Sequence, residues 1–141
     1  MIKTTAAVLL LCLVPLAACG DNAPTTPTLT VPDSPATELG IKDLTVGDGA
    51  EAKPGDTVTV NYIGVGQQSK KTFDSSYGRA PATFPLDQVI PGWTKGIPGM
   101  KVGGRRELVI PGDLAYGANP PSPDIAPNET LVFVVDLLGV K

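Results

Sequence analysis

Histidine is absent from the 141 residues. With it go the commonest general base, the commonest metal ligand and the usual partner of a serine or cysteine nucleophile. Both cysteines, Cys12 and Cys19, fall in the first twenty residues, so no disulfide can staple the folded part. The glycine-rich stretches lack the lysine and the strand–loop–helix setting of a phosphate cradle, and no metal or cofactor motif is present. What remains is chemistry done by shape, hydrogen bonds and carboxylates. Taken singly, the residues suited to it are modest signals. A lone tryptophan such as Trp93 is most often core. Asp74 in Asp74-Ser75-Ser76 reads as a turn or cap residue, and Tyr116 before Gly117 as a loop aromatic.

The elements that must position them fit in one domain. Fifteen prolines and sixteen glycines predict many turns and little long helix. Residues 1–19 run from basic Lys3 through an apolar stretch, Ala6 to Leu16, to Leu16-Ala17-Ala18-Cys19. That stretch is short for a membrane span and ends in small residues, as a secretory signal does. It resembles a bacterial lipoprotein signal peptide, which implies lipidation of Cys19 and an extracytoplasmic domain anchored to the bacterial cell membrane by that lipid alone. Two acyl chains at about 0.8 kcal/mol per buried methylene would hold a soluble domain stably. Losing Lys3 with the signal would take the net charge from −3 to −4, a balance that repels nucleic acid. The basic pairs Lys70-Lys71 and Arg105-Arg106 read as solubilising surface charge. Behind the cysteine, residues 20–37 carry Pro24, Pro27, Pro32 and Pro35 among threonines and read as a disordered, extended tether to a domain over 38–141.

Within that domain, Ile41–Val46, Thr57–Tyr62, Gly104–Ile110 and Thr130–Val140 read as strands bounded by glycine and proline turns. Thr57–Tyr62 alternates cleanly, with Val58, Val60 and Tyr62 on one face. The last strand is apolar on both faces, which predicts a central place in its sheet. One short helix is expected, with Pro91 at its first position, Trp93 and Ile97 on one side, and Pro98-Gly99 as the stop. Two glycines make it a poor helix alone, so packing on the sheet must hold it. The pattern is α+β with a bent antiparallel sheet.

Six segments carry a more specific signal: Val60-Asn61-Tyr62-Ile63-Gly64, Phe73-Asp74-Ser75-Ser76, Val89-Ile90-Pro91-Gly92-Trp93, Met100-Lys101-Val102-Gly103, Ala115-Tyr116-Gly117 and Leu131-Val132-Phe133. In this order over Asp56–Lys141 they resemble the FKBP-type peptidyl-prolyl cis/trans isomerases. The resemblance implies a five- to six-stranded antiparallel sheet wrapped around one short helix. It also implies a catalytic group of Asp74, Tyr116 and Trp93, with the proline ring of the substrate on Trp93. Tyr62, Phe73, Phe84, Val89, Ile90, Ile125 and Phe133 would bind substrate, the Ile90 backbone N–H bonding a substrate carbonyl. Such an enzyme needs no cofactor and no metal. Its expected partners are proline-containing unfolded or exported polypeptides and macrolides such as tacrolimus or rapamycin, and a monomer is expected. The alternative is an FKBP-like module that binds proline segments or a partner with little turnover.

Several positions depart from the family pattern. Ala82 stands where many relatives carry an aromatic residue, which would open one wall. The loop Leu86–Val89 is short. The loop Asn119–Pro127, expected over the pocket, is stiffened by Pro120, Pro121, Pro123 and Pro127 and carries Asp124 where an apolar residue is usual.

Overall fold

A computed structural model describes residues 25–141. The expected signal peptide, its expected lipidation site Cys19 and residues 20–24 of the expected tether lie outside the described residues. Six strands form one antiparallel sheet: β1 (Gly40–Thr45), β2 (Thr57–Gly66), β3 (Thr72–Ser75), β4 (Ala82–Pro85), β5 (Arg105–Ile110) and β6 (Leu131–Val140). Between β4 and β5 lies a single helix, α1 (Pro91–Gly96), and a short 3₁₀ turn covers Gly112–Leu114. The strand order is β1-β5-β6-β2-β3, with β4 also paired to β2. This is the α+β architecture expected, and β6, apolar on both faces, sits in the middle of it.

Strand β2 shapes the sheet. One side pairs with β6 along its whole length. The other side is shared, with Thr57–Val60 paired to β4 and Ile63–Val65 to β3. The register against β6 slips between Thr59 and Val60, and such a bulge bends and twists a strand. At Asn61-Tyr62 neither short strand is present, and Ser76 takes its place. The Tyr62 N–H donates to Ser76 Oγ at 2.8 Å, and the Ser76 N–H donates to the Tyr62 carbonyl at 2.9 Å.

The core fills the concave side of this sheet with Val58, Val60, Leu86, Ile97, Leu108, Ile110, Leu131, Val135 and Leu137, each fully buried. The helix lies directly on β5. A Cβ at Gly92 would stand 2.5 Å from Ile110 Cγ2, and one at Gly96 2.7 Å from Leu108 Cδ2. The glycines that weaken α1 as an isolated helix are therefore what lets it approach the sheet so closely.

The reading of Arg105-Arg106 as surface charge is wrong. Arg105 grips Asp136 with both ends of its fork, Nε to Oδ1 at 2.6 Å and Nη2 to Oδ2 at 2.8 Å. Arg106 is buried, donates to Asp43 of β1 and to the Gly96 and Pro98 carbonyls, and so ties α1 to the sheet. The residues are charged because the fold needs long donors there, and a single sequence does not reveal their acceptors. Lys70 also has a partner. Its Nζ and Gln67 Nε2 both donate to the Pro32 carbonyl, each at 3.1 Å. The Ala36 N–H donates to Thr130 Oγ1 at 2.9 Å. The segment read as a tether thus has no helix or strand from residue 25 to 37, but meets the domain at two points.

Glu129 is buried and knits together the two loops at this end of the sheet. Its Oε1 accepts the Gln68 and Ser69 N–H groups, both at 2.9 Å, and its Oε2 the Ala126 N–H at 2.8 Å. Burial works to raise its pKa, but the backbone donors, Ser69 first, outweigh burial and hold the carboxyl below its ordinary value. Glu129→Ala should strand these donors and cost about 3 kcal/mol in denaturant unfolding. Because the folded-state pKa is the lower one, this stabilisation is complete above the ordinary value of 4.5 and fades as pH falls through the folded-state value. A Glu129→Gln variant is destabilised at neutral pH but has no such charge to lose. It should therefore lose less stability than wild type as pH falls below 4.5, so that the gap between the two narrows in acid unfolding.

Candidate active site

All three phenylalanines and the only tryptophan of the chain meet in one place. Trp93, on α1, is the hub. Tyr62 of β2, Phe84 of β4 and Phe133 of β6 stand edge-to-face around it, with ring centroids 5.4, 5.5 and 5.3 Å away. Phe73 of β3 meets Phe133 at 5.5 Å, and Phe84 meets Tyr62 at 5.9 Å. Edge-to-face pairs at these distances each add roughly 0.5–1.5 kcal/mol beyond area burial, so the cluster is rigid. Gly64 makes room for it, because a Cβ there would lie 2.6 Å from Phe73 Cζ and 2.7 Å from Phe133 Cε1.

The rings line an open cavity of about 280 Å³, together with Asp74, Gln88, Val89, Ile90 and Tyr116. Trp93 is 4% exposed, and its Nε1 has no hydrogen-bond acceptor among the described residues. Besides the rings, the polar residues of the lining are Asp74, Gln88 and Tyr116. The short strand β3 delivers Asp74 from one side. Its Oδ2 accepts the Tyr62 hydroxyl at 2.6 Å, and its Oδ1 accepts the Ser75 N–H at 2.9 Å and Arg79 Nη2 at 3.1 Å. On the far side, Ile90 caps α1 with its carbonyl, which takes the Trp93 and Thr94 N–H groups at 2.9 and 3.1 Å. Its own N–H has no acceptor among the described residues. Thr94 Oγ1 donates to the Leu86 carbonyl at 2.7 Å and so holds the short Leu86–Val89 loop against the helix.

Tyr116 follows the 3₁₀ turn and is 38% exposed. Burial and then the Asp74 charge push its hydroxyl pKa up. Burial, then the hydrogen bond to Asp74, pushes Tyr62 up further. Both phenols are therefore kept as O–H groups well into alkaline solution. The cavity lining contains no histidine.

Of the ten residues expected at the site, nine line this cavity: Tyr62, Phe73, Asp74, Phe84, Val89, Ile90, Trp93, Tyr116 and Phe133. Ile125 does not. It is 5% exposed and belongs to the same buried core cluster as Tyr62, Trp93 and Phe133. The rest of the Asn119–Pro127 loop also stays off the lining, and Asp124 is solvent-exposed. Ala82 is partly buried against the core and does not reach the cavity. Gln88 lines it unforeseen, since an exposed polar residue in a short loop carries no signal in the sequence.

Comparison with known proteins agrees with this geometry. The family model for FKBP-type peptidyl-prolyl cis-trans isomerase matches residues 49–138. A Corynebacterium glutamicum protein named "Probable FK506-binding protein" is 48% identical over 115 residues, which cover 80% of this chain and 97% of that one. The FK506-binding protein of Streptomyces anulatus is 51% identical over 110 residues, covering 75% and 89% of the two chains. Among solved structures, FkpA from Escherichia coli superimposes with a TM-score of 0.67 at 48% identity over 77% of this chain, and the match spans 51% of FkpA. An isomerase from Pseudomonas syringae pv. tomato matches with a TM-score of 0.67 at 38% identity, over 73% of this chain and 75% of its own. With its sheet, its short helix on β5 and an aromatic cup that needs no nucleophile, the chain belongs to the FKBP-type peptidyl-prolyl cis-trans isomerases.

Proposed function

We propose that this isomerase acts on proline-containing exported polypeptides outside the cytoplasmic membrane, to which lipidated Cys19 anchors it. The observation that carries the catalytic part of this reading is the cup itself, in which Tyr62, Phe73, Phe84 and Phe133 gather around Trp93 beside a carboxylate and two free donors, the Ile90 N–H and the Tyr116 hydroxyl. The reaction rotates an X–Pro amide over a barrier of ~18–20 kcal/mol set by resonance, with no bond made or broken. Resonance separates charge between nitrogen and oxygen, and a dry cup solvates the planar, charge-separated form poorly. The twisted form is favoured by comparison.

The residues divide the work. The proline ring stacks on Trp93 between Tyr62, Phe84 and Phe133, and Phe73 closes the side of Phe133. The Ile90 N–H takes a substrate carbonyl, and the Tyr116 hydroxyl offers a second donor. Donors placed for the twisted geometry stabilise it selectively. Loss of resonance leaves the carbonyl carbon more electron-poor, and the Asp74 carboxylate at the edge favours that state. The same apolar cup suits a macrolide of the FK506 kind, the ligand for which the Corynebacterium and Streptomyces relatives are named. Export is supported by the signal-like residues 1–19. Uncatalysed isomerisation takes tens of seconds or longer, slow enough to limit folding of chains that emerge unfolded.

A protease-coupled tetrapeptide assay tests the catalytic reading. The wild-type chain should speed isomerisation, and Asp74→Ala or a Tyr116→Phe/Trp93→Leu double variant should lose at least about tenfold in kcat/KM, or roughly 1.4 kcal/mol. Wild-type rates equal to the uncatalysed reaction would indicate a binding module instead. The rate should stay flat from about pH 6 to 9, because histidine is absent and burial keeps both phenols protonated above their ordinary range. A titration in that window would overturn the assignment of roles. For the anchor, Cys19→Ala should move the protein from the membrane fraction to the soluble fraction of the producing cells.

A further inference from the structure

The Tyr62 hydroxyl holds one oxygen of Asp74 and the Ser75 N–H reaches the other, but the Arg79 ion pair that completes its setting is too exposed to hold itself. Arg79 is 65% and Asp74 47% exposed in their side chains, and pairs this open contribute little. Arg79 also sits on the loop 76–81 between β3 and β4, where a free backbone would let its long side chain wander. Something else must fix the loop.

That support comes from the face of the sheet opposite the cup. Asn61, which alternates with core-facing Val60 and Tyr62, is 4% exposed there. It pairs across the ladder with Asp136 of β6, which pairs in turn with Arg105 of β5. The three form a polar row on the face that the loop covers. Ser76 Oγ donates to Asn61 Oδ1 at 3.1 Å, and the Tyr77 hydroxyl donates to Asp136 Oδ2. Asp136 cannot swing to follow Tyr77, because the Arg105 fork holds both its oxygens and leaves it 16% exposed. From this fixed point the loop turns back towards the cup. The Arg79 N–H donates to the Ser76 carbonyl at 3.0 Å, and Arg79 Nε donates to the Ser75 carbonyl at 3.1 Å. Nη2 also donates to that Ser75 carbonyl and reaches Asp74 Oδ1 at 3.1 Å. Burial, and then the hydrogen bond to Asp136, pushes the Tyr77 pKa up, so the hydroxyl keeps its proton across the working range.

We propose that Tyr77, locked to Asp136 and Arg105, is a positioning residue that holds the β3–β4 loop so that Arg79 keeps the Asp74 carboxylate turned to the cavity. The proposal rests on the role given to Asp74 above. Tyr77 touches neither the cavity nor the substrate, and its effect passes only through Arg79 and Asp74.

The test is a double-mutant cycle on kcat/KM with thermal unfolding of every variant. Tyr77→Phe removes one hydroxyl and should lower kcat/KM about five-fold in the wild-type background. In an Asp74→Ala background it should change nothing further, because the group it positions is gone. Arg79→Ala, which cuts the same chain at its exposed end, should cost about as much, and Tyr77→Phe with Arg79→Ala no more than either alone. A merely structural hydroxyl would give the same loss in both backgrounds, in step with the drop in melting temperature, and would overturn the proposal. So would a Tyr77→Phe enzyme at full rate beside a slow Asp74→Ala enzyme, with the Asp74 role left standing. Full rate in Asp74→Ala itself would overturn both.

Discussion

Strand β2 is longer than either strand that borders its outer side, and the site depends on that mismatch. If one long strand ran along β2, Phe73 and Phe84 would lie in line and leave no cup. Instead β3 and β4 each cover part of it, and each turns an aromatic residue inward from a different direction. Tyr62 sits at the gap between them. Ser76 closes the ladder there with its side chain and its backbone, so the split leaves no unpaired Tyr62 amide. The same residue anchors the loop that bears Tyr77 and Arg79. One break in strand pairing thus makes both the concave side that receives substrate and the brace behind it.

The chemistry suits this construction. Rotation about an amide needs no proton in flight, so a site without histidine loses nothing. What it does need is geometry that does not relax when the substrate enters. The edge-to-face rings supply that on the cavity side, and the Arg105–Asp136 pair supplies it on the other. The two sets of contacts lie on opposite faces of β2 and β6, the pair of strands that runs the full width of the domain.

The parts of this structure that were legible in the sequence are those in which residue type and environment correspond one to one. The two-faced apolar run of β6 can only be central, and the alternation of Thr57–Tyr62 gives its face. The end of α1 at Pro98-Gly99 follows from backbone chemistry. Strands β3 and β4 were not legible. Four residues each, Thr-Phe-Asp-Ser and Ala-Thr-Phe-Pro, are too short to show a period, and they become strands only because β2 offers them an edge. Arg105 and Arg106 illustrate the other limit, since a buried ion pair and a solvated lysine patch look alike until the acceptor is placed. At the site, the aromatic and acidic residues stood out through their shared order with a known family. Ile125 lies outside those ordered segments, and it is buried in the core without lining the cavity.

A single indole at the base of the cup also gives the protein a built-in reporter. Its emission depends on how wet its surroundings are, and no second tryptophan exists to dilute the signal. Any molecule that settles on Trp93 expels water from the one fluorophore that matters. Occupancy of the cavity can then be read optically, without a label and without turnover, even in a variant that has lost all activity.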